Sequence, residues 1–177
     1  MLRVRLAELK EVDDIQRLIE KSSRSLAASD YTSEQIEIAL KGVWGLDTQL
    51  ILDHTYFVSE VDGILVGCGG WSRRATLFGN DALKERDDSK LNPAEDAAKI
   101  RAFFVHPQYA RRGIGSTILK HCEKEAIKSG YCRFELGATL PGQRLYQSFG
   151  YIAGTPYDYE CVPGKYMKIV PMHKDAD

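Results

Sequence analysis

The residues of this chain best suited to chemistry are the glycines and arginines of Arg111-Arg112-Gly113-Ile114-Gly115-Ser116. The apolar run from Ile100 to Val105, stopped by Pro107, precedes them and predicts a buried strand. Apolar residues then recur at helical spacing up to Ser129-Gly130, so a helix begins at the glycines. The first N–H groups of a helix lack an intrahelical partner, and its dipole favours an anion there. This segment therefore predicts a phosphate site.

The glycine spacing separates this segment from two common phosphate-binding loops. The P-loop pattern requires a lysine that is absent here. The dinucleotide-binding pattern shares Gly113 and Gly115, and Glu135 lies about twenty residues further on, where that pattern places a ribose-binding carboxylate. Ile118 replaces its third glycine, however, and the polar residues 106–112 separate strand from glycines. We therefore do not expect NAD or NADP to bind.

Two spaced motifs resemble those of the GNAT superfamily of N-acetyltransferases. Phe104-Val105-His106-Pro107, with the later Tyr109 and Arg111 to Gly115, resembles the family's acetyl-CoA loop. That loop usually carries glutamine or arginine where this chain has Ala110, so the match is to a variant. Leu145-Tyr146 with Gly150-Tyr151 resembles the family's Leu-Tyr-x-x-x-Gly-Phe element, in which the tyrosine faces the sulfur of CoA.

The resemblance implies an α/β fold with a mixed central sheet and helices on both faces. The sheet splays open between the strand at 99–105 and the strand at 131–137, and the pantetheine arm of CoA lies in that opening. Backbone groups of Phe104 and Val105 would pair with the arm, and residues 111–117 would hold the pyrophosphate. The implied cofactor-binding residues are Phe104, Val105, Arg111, Arg112, Gly113, Ile114, Gly115, Ser116, Thr117 and Tyr146.

The implied reaction is attack of a neutral amine on the acetyl thioester. Tyr146 is the expected general acid, because a phenol is neutral at working pH and can protonate the departing thiolate. A backbone N–H of residues 103–105 is the expected oxyanion donor.

The general base is left open. Many family members carry a glutamate where this chain has Lys99. Asp96 and Glu135 are the nearest carboxylates in sequence. Ordered water, backbone carbonyls, Tyr31 and Tyr159 are alternatives.

Trp71, Arg73, Arg74 and Tyr31 are candidate substrate residues. Arginines at the end of a glycine-rich strand could hold a carboxylate or phosphate of the acceptor, or instead pair with the acidic residues of segment 75–98.

Composition favours one compact cytoplasmic domain. The chain has 177 residues, 44% of them hydrophobic, and a net charge of −1 that gives no basic footprint for nucleic acid or membranes. The dispersed cysteines and histidines indicate reduced thiols and no metal site. We expect acetyl-CoA as co-substrate and an amine of a small molecule or peptide as partner. Whether the protein forms a homodimer is left open. A non-catalytic CoA-binding sensor of the same fold is the alternative.

The element order alternates between strands and helices. Thr32 and Gln35 predict a capping box for a second helix that carries Val43 and Trp44, and Asp62-Gly63 predicts a hairpin turn. Residues 75–98 are expected to form an exposed excursion, with room for a short helical piece. Residues 1–173 are expected to be the single domain, and 174–177 a frayed tail.

Overall fold

The structure, a computed structural model, describes residues 1–177. Its strands and α-helices, in chain order, are β1 Leu2–Leu6, α1 Val12–Leu26, α2 Ser33–Leu40, α3 Thr48–Leu52, β2 Tyr56–Val61, β3 Ile64–Ser72, β4 Ala98–Val105, α4 Ile114–Lys128, β5 Arg133–Ala138, α5 Gln143–Ser148, β6 Ile152–Ala153, β7 Tyr157–Val162 and β8 Lys165–Asp175. No helix of the chain combines the length and the apolar character that a membrane crossing requires.

Local sequence signals form the predicted turn and cap. Asp62 and Gly63 both adopt left-handed backbone, with φ of 51° and 78°, as a type I′ hairpin turn between β2 and β3 requires. At the start of α2, the Gln35 N–H donates to Thr32 Oγ1 at 3.2 Å, and the Thr32 N–H donates to Gln35 Oε1 at 2.9 Å. This reciprocal pair is the predicted capping box.

The sheet confirms the predicted mixed, splayed architecture. Its strand order is β1-β2-β3-β4-β5-β8-β6, and β7 pairs with β8 outside this path. The β4–β5 pair is parallel, and its register contains Ala98 opposite Phe134 and Lys99 opposite Glu135. Beyond these residues the two strands separate, which opens the sheet at its centre.

Helices cover both faces of the sheet. On one face, α4 buries Ile118 and Leu119 in a core shared with Ile100. On the other, α1 buries Ile15 and Ile19 in a second core. A Cβ at Gly67 would lie 2.6 Å from Ile114 Cγ2, so this glycine lets the first turn of α4 lie close against β3.

A β-bulge bends β4 where it leaves β5. Ala102 is left-handed, with φ of 55°, and the register with β3 shifts between Cys68 and Gly70. The buried Tyr56 hydroxyl donates to the Ala102 carbonyl at 2.8 Å, which holds the bulge in place. Such bulges bend a strand and redirect its side chains and backbone groups.

The C-terminal residues differ from the predicted frayed tail. β8 continues to Asp175, and Lys174 lies opposite Phe134 on β5. The Lys174 ammonium donates to both oxygens of Glu123 at 3.1 Å, with its side chain only 14% exposed. Pairing with β5 and this ion pair order residues that their polarity alone predicts to be loose.

Two further elements differ from the sequence prediction. α2 ends at Leu40, before Val43 and Trp44, and the short helix α3 follows. Segment 75–98 contains no helix. Segment 75–98 is ordered by tertiary contacts, which cannot be predicted from the periodicity of the sequence.

A buried ion cluster fixes segment 75–98 against β4. Arg101 and Asp47 side chains are each 2% exposed and lie 3.1 Å apart, and Arg86 reaches the same Asp47 oxygen at 2.9 Å. The Arg101 guanidinium also donates to the carbonyls of Thr76 at 3.1 Å and Gly79 at 2.9 Å. Both carbonyls belong to segment 75–98, so Arg101 ties this segment to the sheet.

We expect Asp47→Ala to lower the free energy of unfolding by about 3–5 kcal/mol, because it leaves buried guanidinium groups without their carboxylate. Asp88→Ala is the matched control, since Asp88 pairs with Arg86 at 3.2 Å but is 46% exposed; its cost should stay below about 1 kcal/mol. Urea denaturation measures both. Equal, small losses would show that the cluster does not hold the fold.

Candidate active site

A cavity of about 600 Å³ occupies the opening between β4 and β5. Its walls come from β4, the start of α4, the loop that follows β5, and α5. Sequence-predicted residues that line it are Phe104, Val105, Arg111, Gly113, Ile114, Gly115, Ser116 and Tyr146. The two predicted motifs, distant in sequence, therefore meet at one cavity. Arg112 and Thr117 belong to the same turn but do not line it.

The glycine-rich turn leaves the N-terminus of α4 open towards the cavity. Gly113 is the N-cap residue in left-handed backbone, with φ of 78°, which favours glycine. Thr117 donates through its backbone N–H and its Oγ1 to the Gly113 carbonyl, each at 2.9 Å. Thr117 thus closes the first turn. The N–H groups of Ile114 to Ser116 precede the helical ladder and have no acceptor within the helix.

Arginines surround this helix end. Arg111 lines the cavity, and the Arg112 guanidinium lies 5.3 Å from the centre of the Tyr109 ring. Arg144 of α5 lines the cavity from the opposite side, and neither it nor Arg111 forms an ion pair within the chain. Sequence analysis missed Arg144, although it lies two residues before Tyr146 in the second motif. Open N–H groups and unpaired guanidinium groups together suit an anion.

The edge of β4 presents backbone groups to the opening. The His106 N–H donates to the Val66 carbonyl of β3 at 2.9 Å. Because backbone groups alternate in direction along a strand, Phe104 also turns towards β3, while Phe103 and Val105 turn towards the opening. The Val105 N–H donates there to Ser22 Oγ at 3.3 Å. The expected free backbone groups of Phe104 thus belong to Phe103 instead, and Phe104 contributes its side chain.

Tyr146 lies at the middle of the cavity wall. Its side chain is buried, with ring contacts to Phe103 at 6.2 Å and to Tyr151 at 5.7 Å between centroids. Its hydroxyl makes no hydrogen bond within the chain. Burial raises the pKa of Tyr146 well above its usual value, because the phenolate would lose hydration. The group is therefore a neutral O–H that faces the cavity.

None of the candidate side-chain bases lines the cavity. Lys99 forms an ion pair with Glu135, and Asp96 accepts from the backbone N–H of Asn92 at 2.7 Å. The Tyr31 hydroxyl accepts from the Leu140 N–H at 2.9 Å, while Tyr159 packs edge-on against Phe78. Tyr31 also contacts the ring of Trp44, which does line the cavity. Tyr31 and Tyr159 thus support the wall from behind.

The structure does not bring Trp71, Arg73 and Arg74 to the cavity. Trp71 is 2% exposed within the core, and the Arg73 guanidinium lies 5.3 Å from its ring centre. Arg74 donates to both oxygens of Asp53, at 2.7 and 2.9 Å. Asp53 lies outside segment 75–98, so the alternative role does not describe Arg74 either; within that segment the Arg74 guanidinium reaches only the backbone carbonyl of Asp88, at 3.0 Å.

Solved structures and a curated relative show what this geometry is similar to. A GCN5-related N-acetyltransferase from Rhodopseudomonas palustris aligns over 99% of this chain and 94% of its own, with a TM-score of 0.71 and 20% identity. The protein yncA from Salmonella typhimurium, solved with acetyl-CoA, aligns over 99% of this chain and 94% of its own, with a TM-score of 0.63 and 18% identity. These likenesses show the fold.

The uncharacterized N-acetyltransferase YsnE of Bacillus subtilis (strain 168) is 32% identical over 89 residues, which are 47% of this chain. The match covers 54% of YsnE, so the chain spans about half the length of this relative. The sequence model of the acetyltransferase (GNAT) family matches residues 15–151, which is more than half of the chain. The chain belongs to the acetyltransferase (GNAT) family.

Proposed function

We propose that this protein transfers the acetyl group of acetyl-CoA to a primary amine of a small molecule or peptide, by direct attack in a ternary complex. The observation that supports this most is the continuous cavity that joins the open N-terminus of α4 to Tyr146 along the edge of β4. The bound acetyl-CoA of the yncA structure, which shares this fold, also supports it.

Each part of the cavity suits one part of acetyl-CoA. The N–H groups of residues 114–116 and the guanidinium groups of Arg111 and Arg144 suit the pyrophosphate. The backbone groups of Phe103 and the carbonyl of Val105 suit the amides of the pantetheine arm, as an extended peptide pairs with a sheet edge. In this arrangement the thioester lies beside Tyr146.

The proposed reaction needs a neutral amine and a protonated sulfur. The amine nitrogen bonds to the acetyl carbon, the carbon–sulfur bond breaks, and the sulfur takes the proton of the Tyr146 hydroxyl. The proton that the nitrogen loses restores the phenol. The Phe103 N–H, directed into the opening, is positioned to stabilise the developing oxyanion.

We expect Gly115→Glu to weaken binding of acetyl-CoA at least tenfold while the domain stays folded. A Cβ at this position would lie 3.2 Å from Leu145 Cδ2 and 3.9 Å from Val105 Cγ2, so the side chain enters the space between α4 and α5. Its charge also opposes a phosphate at a helix N-terminus. Titration calorimetry measures the affinity, and circular dichroism checks the fold.

Gly115→Gln is the matched control, because it adds similar bulk without charge. Its loss should be smaller than that of Gly115→Glu. Unchanged affinity in both variants would contradict the proposed phosphate site.

We expect Tyr146→Phe to lower kcat by about 10²–10⁴, the usual contribution of general acid catalysis. The variant keeps the ring and its packing and removes the transferable proton. Affinity for acetyl-CoA should therefore stay near that of the original chain. Thiol release with a competent amine measures kcat, and a loss confined to thermal stability would show that Tyr146 is a core residue only.

We expect Tyr146 to remain protonated through about pH 11, where an unperturbed tyrosine is largely ionised. The sign follows from burial, which penalises the phenolate and so raises the pKa of Tyr146. Ultraviolet difference absorbance between the original chain and Tyr146→Phe isolates this group. A phenolate signal near pH 10 would contradict the assigned burial.

The same assays separate catalysis from binding alone. Calorimetric binding of acetyl-CoA without thiol release for any amine would favour the alternative, a non-catalytic CoA-binding domain. Binding with amine-dependent thiol release supports the transferase.

A further inference from the structure

The part of the cavity that is lined by elements outside the two sequence motifs differs in chemistry from the rest. We call it the acceptor pocket. Its walls come from α1, the residues between α2 and α3, segment 75–98, and β8. The side chains that they supply are mostly apolar, with the hydroxyls of Ser22 and Ser23 on α1 beside them; the apolar ones are Leu26, Val43, Trp44, Leu77, Phe78 and Ile169.

The acceptor pocket has a fixed shape. The Trp44 ring packs edge-on against Tyr31 at 5.3 Å, and Phe78 packs edge-on against Tyr159 at 4.9 Å between centroids. The Asn80 amide donates to the carbonyl oxygens of Leu40 at 3.1 Å and Trp44 at 3.0 Å. The Asn80 contacts hold segment 75–98 against the residues between α2 and α3. A pocket held this way selects the group that enters it.

The charge beside the acceptor pocket is positive. Arg101 lines the cavity and belongs to the buried cluster in which two guanidinium groups share the single carboxylate of Asp47. The Asp88 carboxylate that pairs with Arg86 is 46% exposed and screened by water. The other charged side chains that line the cavity are Arg111 and Arg144, and Tyr146 is neutral.

An ammonium ion and a neutral amine differ sharply in such a pocket. The ammonium ion would lose its hydration among apolar side chains and meet the field of Arg101. The neutral amine avoids both costs. The pocket therefore takes an amine in its neutral form, and the fraction of neutral acceptor in water limits the rate.

We infer that the acceptor is a weakly basic amine, an α-amine or an aromatic amine, attached to an uncharged apolar group, and that polyamines and lysine side chains are poor acceptors. This inference rests on the proposed acetyl transfer and deepens it. It makes Arg101 a determinant of acceptor specificity, through its charge and through its hold on segment 75–98.

A matched set of amines tests the inference. Phenylalanine amide and phenethylamine share an aromatic body, but their amines resemble an α-amine and a lysine amine, whose pKa values are about 7.7–8.0 and 10.4. At pH 7 the neutral fraction of the first is about 300-fold larger. We expect kcat/KM to favour phenylalanine amide at least tenfold, and spermidine to fall below both. Preference for spermidine or phenethylamine would overturn the inference.

The pH profile gives an independent readout. For phenethylamine, kcat/KM should rise about tenfold per pH unit from pH 7 to pH 9, because the neutral fraction of the amine increases by the same factor below its pKa. For phenylalanine amide it should level off above about pH 8. A phenethylamine profile that levels off near neutral pH would show that a protein base accepts the proton from bound ammonium, which contradicts the inference.

A carboxylate placed in the pocket should reduce the preference for phenylalanine amide. Leu26 lines the cavity and is 37% exposed, so Leu26→Glu places a charge there without burying it fully. Relative to Leu26→Gln, it should raise kcat/KM for phenethylamine at pH 7 several-fold more than for phenylalanine amide. Equal ratios in the two variants would show that charge in this pocket does not select the acceptor.

Two further experiments distinguish failure of the inference from failure of the proposed function, and a peptide acceptor from a small-molecule acceptor. Calorimetry with CoA alone tests the proposed function: absent binding would defeat both proposals, whereas binding with a preference for spermidine would defeat only this inference. Binding of CoA with no turnover of any apolar amine also counts against it. Phe-Ala-Ala amide, compared with phenylalanine amide, shows whether the α-amine comes from a peptide or a small molecule; turnover of either supports the inference.

Discussion

The loss of backbone pairing between β4 and β5 is the constraint on which the site depends. The two strands pair at Ala98 with Phe134 and at Lys99 with Glu135, and then diverge. Unpaired N–H and C=O groups inside a domain are costly unless a ligand or another group satisfies them. The left-handed Ala102, held by the Tyr56 hydroxyl, turns β4 out of the pairing direction three residues after the last pair. The opening is thus built into the strand.

A second constraint is the closeness of α4 to the sheet. The helix delivers its N-terminus to the opening because Gly67 has no side chain against Ile114, and because Gly113 adopts left-handed backbone. Both glycines position the N-terminus of α4. The charged side chains at the site come from residues outside α4, Arg111 and Arg144. Geometry and charge therefore have separate origins in the sequence, and substitutions can test them separately.

Local patterns made much of this structure predictable, and long-range contacts explain the rest. The capping box at Thr32, the Asp62-Gly63 turn and the start of α4 depend on a few neighbouring residues, so the sequence shows them directly. The ordered C-terminal strand and the packing of segment 75–98 depend on Lys174 meeting Glu123 and Arg101 meeting Asp47. No periodicity reports such partners. The substrate role expected for Arg73 and Arg74 rested only on their position after a glycine-rich strand. Their contacts could not be predicted from the sequence, and β3 directs both side chains away from the cavity.

Both ends of the cavity are positively charged, and this charge constrains the co-substrate and the acceptor together. In the proposed transfer, positive charge at the α4 end suits an anionic co-substrate, and positive charge at Arg101 disfavours a cationic acceptor. A carboxylate beside the amine would attract and deprotonate an ammonium ion, but it would also oppose the anionic co-substrate in the same low-dielectric space. With Lys99 paired to Glu135 outside the cavity, the chain keeps its carboxylates away from the thioester. In the transfer that we propose, proton removal is then left to the acceptor's own equilibrium with water, and this equilibrium decides which amines react.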